Sequence, residues 1–192
     1  IITKNDTINA VVYKGEVNIT NSKVFYVIAY NDSNVLFNYS DTFCARIYDS
    51  ASFICNSSDI DYFVMLNNGL ATFYNTTTTY NMYFMDDSVT MIYNSTLCTL
   101  DITGHASVTV YNSTIRGHWI YYLINMTDYA TLMVENTVIT ATFLDYVFSM
   151  KNDTQLTFNN VTFDVTFTDL GFEIRDNAQL SILSSNISYL FN

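Results

Sequence analysis

Apolar and polar residues alternate in short runs along this chain, and nearly the same run recurs at regular intervals. Examples are residues 17–21, 108–112, 132–136 and 156–160, in which every second residue is apolar and the run ends in Asn, usually followed by a small hydroxyl residue. Alternation with a period of two predicts short strands that bury one face, and no stretch has the 3.6-residue period of a helix.

The terminal asparagines form a ladder in the sequence, spaced first about 18 and then about 24 residues apart. Its members are Asn21, Asn38, Asn56, Asn75, Asn94, Asn112, Asn136 and Asn160. A second column of turn-forming residues precedes them by a few positions. It contains Gly15, Asp32, Asp49, Asn68, Asp86, Gly104, Asp128, Asn152 and Asp176. Each repeat therefore has two turns, one alternating arm and a second, more continuously apolar arm that lengthens in the later copies.

Repeated strands joined by short turns can bury their apolar positions only by stacking on the next copy. We therefore predict an all-β parallel β-helix, or β-solenoid, of about nine rungs, with short rungs first and longer rungs toward the C-terminus. The chain is interpreted as one domain, 1–192. Residues 1–14 form a possible first strand or inter-subunit contact, 15–115 the short rungs and 116–192 the longer rungs.

The ladder asparagines share parity with the apolar residues before them. If Val108 and Val110 face the core, Asn112 is expected to face inward at a corner, where stacked amides exchange hydrogen bonds. With this ladder the sequence resembles the right-handed parallel β-helix proteins, the pectate-lyase-like repeat family, which has asparagine ladders at an inner turn. The resemblance runs from about Gly15 onward. It implies an architecture and a right-handed coil, and it carries no activity.

Composition limits the possible partners. About half of the residues are hydrophobic, and 18 Asp and Glu outnumber seven Lys and Arg, which gives a net charge of −11. This balance argues against nucleic acid and against an anionic membrane surface. No apolar run has the length of a membrane-spanning helix, so direct membrane insertion is not expected. The chain begins with Ile1, which is expected of a mature product or a fragment.

Twelve Asn-X-Ser/Thr sequons predict N-linked glycans as partners and an extracellular or cell-surface location. They start at Asn5, Asn18, Asn31, Asn38, Asn56, Asn75, Asn94, Asn112, Asn125, Asn152, Asn160 and Asn186. An amide buried in a ladder cannot carry a glycan, so the ladder and the glycan interpretations compete at six of these positions. The sequons outside the ladder are the better candidates. Those at Asn31, Asn125 and Asn152 are expected near turns.

Cysteine and histidine give no sign of a metal or cofactor site. Cys44, Cys55 and Cys98 lack metal-ligand spacing. A Cys44–Cys55 bridge is possible outside the cell, and free buried thiols are the alternative. The two histidines, His105 and His118, are expected at the surface.

An enzyme of the polysaccharide-cleaving kind needs carboxylates, or carboxylates with cations, on adjacent rungs. The candidates are Asp59 with Asp61, Asp86 with Asp87, and Arg116 with His118. None of them recurs at one offset in neighbouring repeats, so we expect no enzymatic activity and keep such an enzyme as a minor alternative. A run of four threonines after Asn75, at 76–79, suggests ice binding, but it is confined to one rung.

The leading hypothesis is a non-enzymatic structural protein: a glycosylated extracellular β-solenoid subunit of a filament, sheath or surface layer. No polar cap is recognisable at either end, so the end rungs are expected to pair with flanking domains or, head-to-tail, with another copy. The alternative is an adhesin or receptor-binding stalk whose long rungs present Trp119, Tyr121 and Tyr122 to sugar rings. For these aromatic residues, packing against the protein itself is the competing explanation.

Overall fold

The computed structural model describes residues 2–3, 8–168 and 171–190. The side chains of residues 2, 3, 8, 119, 143, 144, 167, 168 and 188–190 are outside this description. Every regular element in the described part of the chain is a β-strand. The described residues include no helix long and apolar enough to cross a membrane.

The strands are short and follow one another closely. In chain order they are β1 (Ile2–Thr3), β2 (Ile8–Val12), β3 (Glu16–Thr20), β4 (Lys23–Ala29), β5 (Asn34–Asn38), β6 (Asp41–Ile47), β7 (Ser52–Asn56), β8 (Asp59–Met65), β9 (Leu70–Tyr74), β10 (Thr77–Thr78), β11 (Met82–Phe84), β12 (Val89–Tyr93), β13 (Thr96–Leu97), β14 (Leu100–Ile102), β15 (Ser107–Tyr111), β16 (Thr114–Met126), β17 (Thr131–Glu135), β18 (Val138–Met150), β19 (Gln155–Asn159), β20 (Thr162–Thr168), β21 (Phe172–Ile174), β22 (Gln179–Leu183) and β23 (Asn186–Leu190).

These strands form two parallel sheets. Sheet 1 has the order β1-β3-β5-β7-β9-β12-β15-β17-β19-β22, and sheet 2 has the order β2-β4-β6-β8-β10-β13-β16-β18-β20-β23, with β11, β14 and β21 paired beside it. Each strand pairs in parallel with its equivalent one turn later, as β12 does with β15 and β15 with β17. The chain therefore winds as a coil, and the predicted all-β parallel solenoid is confirmed.

The alternation in the sequence produces the core directly. In β5 the side chains of Val35 and Phe37 are buried while those between and beside them face outward. Inward residues of both sheets meet in one continuous apolar interior. The rings of Phe63 in sheet 2 and Phe73 in sheet 1 lie edge to face with centroids 4.8 Å apart. Packing between rungs therefore closes the coil, as stacked repeats require.

The longer repeats lengthen sheet 2 and leave sheet 1 unchanged. Strands β16 and β18 have 13 residues each and pair in register from Thr114 opposite Val138 to Met126 opposite Met150. In each of the two preceding rungs, two short strands occupy the place of one long strand: β10 and β11 in the first, and β13 and β14 in the second. The sheet 1 strands on either side of the change, β15 and β17, both have five residues. The extra residues therefore widen only one face of the coil.

Candidate functional site

From β3 onward, each turn from sheet 1 into sheet 2 contains a single residue with a positive φ of 47–52°. We call these residues the corner column. They are Asn21, Tyr39, Ser57, Asn75, Asn94, Asn112, Asn136, Asn160 and Ser184. Asparagine is favoured there because its short polar side chain tolerates the left-handed conformation better than other L-residues do. All six asparagines of the column are exposed.

The expectation that the ladder asparagines face inward is wrong. Val110 is buried, Asn112 is exposed and Ser113 is buried again. A left-handed residue changes the direction of the chain and interrupts the alternation of an extended strand. The parity of Val108 and Val110 therefore does not continue to Asn112. The asparagines stack along an outer edge, and Asn160 donates from Nδ2 to Oδ1 of Asn136 at 2.7 Å.

Asn38 and Asn56 do not belong to the corner column. They are the last residues of β5 and β7 and lie opposite each other in sheet 1. The corner positions of these two rungs are taken by Tyr39 and Ser57. The ladder predicted from the sequence is therefore displaced by one residue at both places.

The position that faces inward at the corner is the next residue, which is Ser or Thr in almost every rung. These residues are Ser22, Ser40, Ser58, Thr76, Ser95, Ser113, Thr137 and Ser185. Each hydroxyl donates to the carbonyl two residues earlier, as Ser95 does to Tyr93 at 2.8 Å. In six of the corners it also accepts a backbone N–H from the preceding rung, as Ser95 does from Thr76 at 3.1 Å. The hydroxyl that follows the ladder Asn in the sequence was the available signal for this column.

The structure distributes the sequon asparagines over four places. The corner column holds Asn75, Asn94, Asn112 and Asn160; the outer face of sheet 1 holds Asn18, Asn38 and Asn56; the turn from sheet 2 back into sheet 1 holds Asn31 and Asn152; and sheet 2 holds Asn125 and Asn186. Asn5 lies outside the described residues. The corner and turn asparagines are exposed.

The three sequons expected near turns differ in environment. Asn31 and Asn152 are exposed at positive φ, and each donates its side-chain amide to the preceding rung, to the Tyr13 carbonyl at 3.2 Å and to Asp128 Oδ1 at 3.2 Å. Asn125 is half-buried within β16, and its Nδ2 donates to Oδ1 of Asp101 at 3.0 Å. Access to the amide is therefore better at Asn31 and Asn152 than at Asn125.

The turn from sheet 2 into sheet 1 also contains one positive-φ residue per rung, and we call these the turn column. They are Gly15, Asn31, Asp49, Asn67, Asp86, Gly104, Asp128, Asn152 and Asp176. The sequence placed two of them one residue late, at Asp32 and Asn68. Amides and carboxylates largely alternate along the column. Asn67, for example, donates from Nδ2 to Asp49 at 3.0 Å and from its backbone N–H to Asp86 at 3.1 Å.

This alternation places hydrogen-bond donors between carboxylates that would otherwise stack on successive rungs about 4.8 Å apart. At Asp128 the hydroxyl of Thr103 donates at 2.8 Å, and Asn152 donates from the following rung at 3.2 Å. The hydrogen bond from Thr103 is the main cause of a lowered pKa of the Asp128 carboxyl. The turn-column carboxylates thus have a structural explanation.

The three pairs considered for catalysis lie in different parts of the coil; Asp59 and Asp61 line one cavity with Lys23 and Asp41, and Arg116 and His118 both belong to β16. Asp86 is bonded within the turn column, and Asp87 lies beside it, 3.5 Å from Nδ1 of His105. Asp59 and Asp61 both belong to β8 in sheet 2. Likewise in sheet 2, His118 contacts the hydroxyl of Thr142 on the next rung. Within the described residues, no group of three or more His, Cys, Asp or Glu side chains is placed to hold a metal ion.

Aromatic side chains gather on the outer surface of the long rungs. Tyr122 and Tyr146 lie opposite each other on β16 and β18 with rings stacked 5.0 Å apart. Tyr121 is 58% exposed and meets Tyr122 edge to face at 4.4 Å. Burial is the first cause of a pKa of about 12 at Tyr122, followed by its hydrogen bond with Tyr121. The side chain of Trp119 lies outside the described residues.

A column of polar residues follows these tyrosines on sheet 2, with Asp101, Asn125, Ser149 and Glu173 opposite one another on successive rungs. Ser149 donates to Glu173 Oε2 at 2.6 Å, and Lys151 lies 3.7 Å from the same oxygen. This hydrogen bond, with the nearby cations, lowers the pKa of Glu173. Burial raises the pKa of Asp101, and the hydrogen bond from Asn125 opposes that effect.

The Cys44–Cys55 bridge that the sequence left open is not formed, and both residues are free thiols. Cys44 belongs to β6 in sheet 2, whereas Cys55 belongs to β7 in sheet 1 and points into the core. The Thr76 Oγ1 lies 3.4 Å from the Cys55 sulfur, and burial raises the pKa of this thiol to about 12. The buried-thiol alternative therefore describes this pair.

Comparison with protein-family models, with curated proteins and with solved structures gives no significant match. The likeness to pectate-lyase-like proteins thus rests on the parallel-coil architecture alone. Since the corner asparagines face outward, this chain does not have the asparagine ladder at an inner turn that suggested the resemblance. The functional argument has to come from the surface of the coil.

Proposed function

We propose that this chain is a non-enzymatic structural protein: a glycosylated, extracellular β-solenoid subunit of a filament, sheath or surface layer. The observation that carries the proposal is the corner column. Asn75, Asn94, Asn112 and Asn160 begin sequons and are exposed along one edge of the coil. An exposed asparagine in a sequon is what N-glycosylation requires.

The outward corner removes the conflict between ladder and glycan. A position that needs a left-handed residue favours Asn, and the adjoining inward position favours a small hydroxyl residue, so the corner alone explains Asn followed by Ser or Thr. It does not explain a second hydroxyl residue at the third position of the sequon. Thr77, Thr96 and Thr114 occupy that position as the first residues of β10, β13 and β16. These threonines are additional to the corner requirement and support the glycosylation proposal.

A structural role also fits the distribution of carboxylates. The aspartates of the turn column are hydrogen-bonded to amides and hydroxyls of neighbouring rungs. Two carboxylates acting on a glycosidic bond would have to share one cleft at a separation of about 5–10 Å. Among the pairs suggested by the sequence, Asp86 lies in the turn column with Asp87 beside it, whereas Asp59 and Asp61 line one open cavity with Lys23 and Asp41 on sheet 2. This cavity is where the minor alternative, a polysaccharide-cleaving enzyme, would be tested.

In this proposal, copies associate head-to-tail through the same parallel pairing that joins rungs within the chain. Successive strands of sheet 1 pair without a register shift, as in β9, β12 and β15. A repeat of this kind can continue across a subunit boundary without a new type of contact. The right-handed coil of the pectate-lyase-like proteins belongs to the same proposal, and an experimental density map would decide it.

Two measurements test this proposal. Intact mass of protein from a glycosylating host, before and after enzymatic removal of N-glycans, should differ by several glycans. Electron microscopy of the same material should show fibres with an axial repeat of about 40 Å, the length of nine rungs at 4.8 Å each. An unchanged mass contradicts the glycoprotein, and discrete monomers contradict the filament.

An adhesin or receptor-binding stalk is the second candidate, favoured by the tyrosines on the long rungs. Tyr121 has an exposed ring beside Tyr122 and Tyr146, a suitable arrangement for stacking on a sugar. Tyr121→Ala should then weaken binding of oligosaccharides by at least tenfold. Tyr129→Ala is the matched control, because Tyr129 is 56% exposed and lies in the turn region of another face. Equal binding by both variants and the parent protein would exclude this site.

A further inference from the structure

One face of the coil is almost free of charge. Five consecutive strands of sheet 1, β5, β7, β9, β12 and β15, contain no Asp, Glu, Lys, Arg or His. The flanking strands each carry one carboxylate, Glu16 at the start of β3 and Glu135 at the end of β17. The whole chain nevertheless has 18 acidic residues and a net charge of −11. The charges are therefore concentrated on the turn column and on sheet 2.

The same face exposes apolar side chains that do not contribute to the core. Ile54, Leu70, Val89 and Met91 are 40–47% exposed. They lie on adjacent rungs, with Leu70 opposite Val89 and with Thr72 between Ile54 and Met91. Outward positions on a solvated sheet are normally polar. We call the outward surface of these five strands the uncharged face.

We propose that the uncharged face pairs with the uncharged face of a second copy of this chain, about a two-fold axis. Two molecules that each carry a net charge of −11 repel each other wherever their acidic surfaces approach. The uncharged face is the part of the described surface where close approach brings no like charges together. Two flat sheets can pack there at about 10 Å, with Leu70, Val89 and Met91 at the centre.

The size of the face sets the strength expected of this contact. Five strands of five residues cover roughly 16 Å by 24 Å. The pair would then bury roughly 800 Å² in total, which is in the range of weak, reversible association. Pairing should therefore depend on protein concentration. It would join neighbouring rods side by side, in addition to any end-to-end contact.

Two sequons lie on this face. Asn38 and Asn56 end β5 and β7 and point outward on neighbouring rungs. A glycan at either site would stand between the two sheets and block the contact. The corner sequons, by contrast, lie at the edge. The pairing is therefore tested on unglycosylated protein, and its outcome does not depend on whether the proposed glycosylation occurs.

Sedimentation velocity over a wide concentration range tests the proposal. As its concentration rises, unglycosylated protein should form a species of twice the monomer mass. Head-to-tail assembly would add larger masses, which a Val89→Glu variant should retain while losing the species of twice the mass. Added salt should strengthen the pairing, because it screens the repulsion between the acidic surfaces while leaving the apolar contact in place. A protein that remains monomeric at every concentration and salt level overturns the proposal.

A matched pair of variants locates the contact. Val89 and Val138 are both 40% exposed and both begin a strand, β12 in sheet 1 and β18 in sheet 2. Val89→Glu should weaken dimerisation by at least tenfold, while Val138→Glu adds the same charge elsewhere and should leave it within about twofold. If both variants dimerise alike, or if Val89→Glu combined with Met91→Glu still dimerises like the parent, the interface is not this face.

Discussion

The backbone N–H of Thr76 donates to the hydroxyl of Ser95 on the next rung at 3.1 Å. Ser95 in turn donates to the Tyr93 carbonyl and gives its own N–H to Ser113 one rung further on. Six hydroxyls of this column therefore satisfy both a backbone donor of the preceding rung and a carbonyl of their own rung. The corner can bend into the core without leaving polar backbone groups unpaired, which would otherwise be costly.

Ser95→Ala should destabilise the fold by about 1–3 kcal/mol, because the Thr76 N–H and the Tyr93 carbonyl lose a partner in a buried position. The measurement is the free energy of unfolding in urea. Ser95→Thr should retain most of the stability, since Thr76 and Thr137 occupy equivalent positions. Ser107→Ala, at an outward position of sheet 1, is the control and should change stability by less than about 0.5 kcal/mol. Equal effects of the two alanine variants would contradict a role for the hydroxyl column.

Tyr39 occupies the corner column at a φ of 47° and is 62% exposed. Tyrosine has no local hydrogen bond to offset the left-handed conformation, whereas asparagine adopts it routinely. Tyr39→Asn should therefore stabilise the protein by about 0.5–1 kcal/mol.

The reciprocal change, Asn94→Tyr at a φ of 50°, should destabilise the protein by a similar amount. Both are measured on unglycosylated protein by thermal unfolding, so that loss of the Asn94 sequon has no influence. Shifts of the same sign in the two variants would show that the corner conformation does not decide residue preference there.

Glu173 links stability to pH. Its pKa lies below the ordinary value of 4.5 because Ser149 donates to the carboxylate and Lys151 and Arg175 lie near it. A lowered pKa in the folded state gives stabilisation that is present above the unfolded-state pKa and is lost as pH falls through the folded-state pKa. Glu173→Gln should thus cost about 1 kcal/mol at pH 7 and almost nothing at pH values below the folded-state pKa. Unfolding curves at several pH values measure this. A cost that is independent of pH would contradict the electrostatic explanation.

Asp101 should behave in the opposite way. Burial raises its pKa above the ordinary value of 3.8, so the charged form is less favourable in the folded than in the unfolded state. Stability should then increase as pH falls through the raised folded-state pKa toward the unfolded-state value. Asp101→Asn keeps an acceptor for Asn125 and removes the buried charge, so it should raise the melting temperature at neutral pH, with a gain that diminishes in acid. A lower melting temperature at pH 7 would show that Asp101 is needed as a carboxylate.

The solenoid was predictable because its signal is the alternation itself. Residues such as Val108 and Val110 repeat at a period that has only one packing solution, namely stacking on the next rung. The turn residues were equally readable at most rungs, since a positive φ favours Gly, Asn and Asp. Asp49, Asp86 and Asp128 occupy the turn column where the sequence placed them.

The orientation of the corner was not predictable by the same rule. One left-handed residue separates the two strands of each rung, so the inward and outward positions of β15 do not continue into β16. A warning was present in the spacing. Asn38 follows Asn21 by 17 residues, whereas Asn75 follows Asn56 by 19. An even step of 18 puts Tyr39 and Ser57 at the corner, as the structure does. The ladder was assigned by the presence of Asn, whereas a regular spacing of 18 residues locates the corner correctly in these two rungs.

The uncharged face was also visible in the sequence, but only once the strands are assigned to sheets. Strands of sheet 1 and sheet 2 alternate along the chain, so charged residues of sheet 2, such as Asp41 and Asp59, fall between the neutral segments. Overall composition averages over the two sheets and hides the difference. Topology is what separates them.

The corner also provides a clean test of glycosylation. Asn94 and Asn136 are both exposed corner residues with a φ of 50°, but only Asn94 begins a sequon. In a host that attaches N-glycans, Asn94→Gln should therefore remove the mass of one glycan, while Asn136→Gln imposes the same backbone change and should remove none. Thr96→Val should abolish the same glycan while leaving Asn94 in place, which separates loss of the sequon from loss of the side chain. Peptide mapping by mass spectrometry measures occupancy at each site. The proposed glycosylation of this corner is wrong if Asn94 is unmodified in the parent protein, or if Thr96→Val retains the glycan.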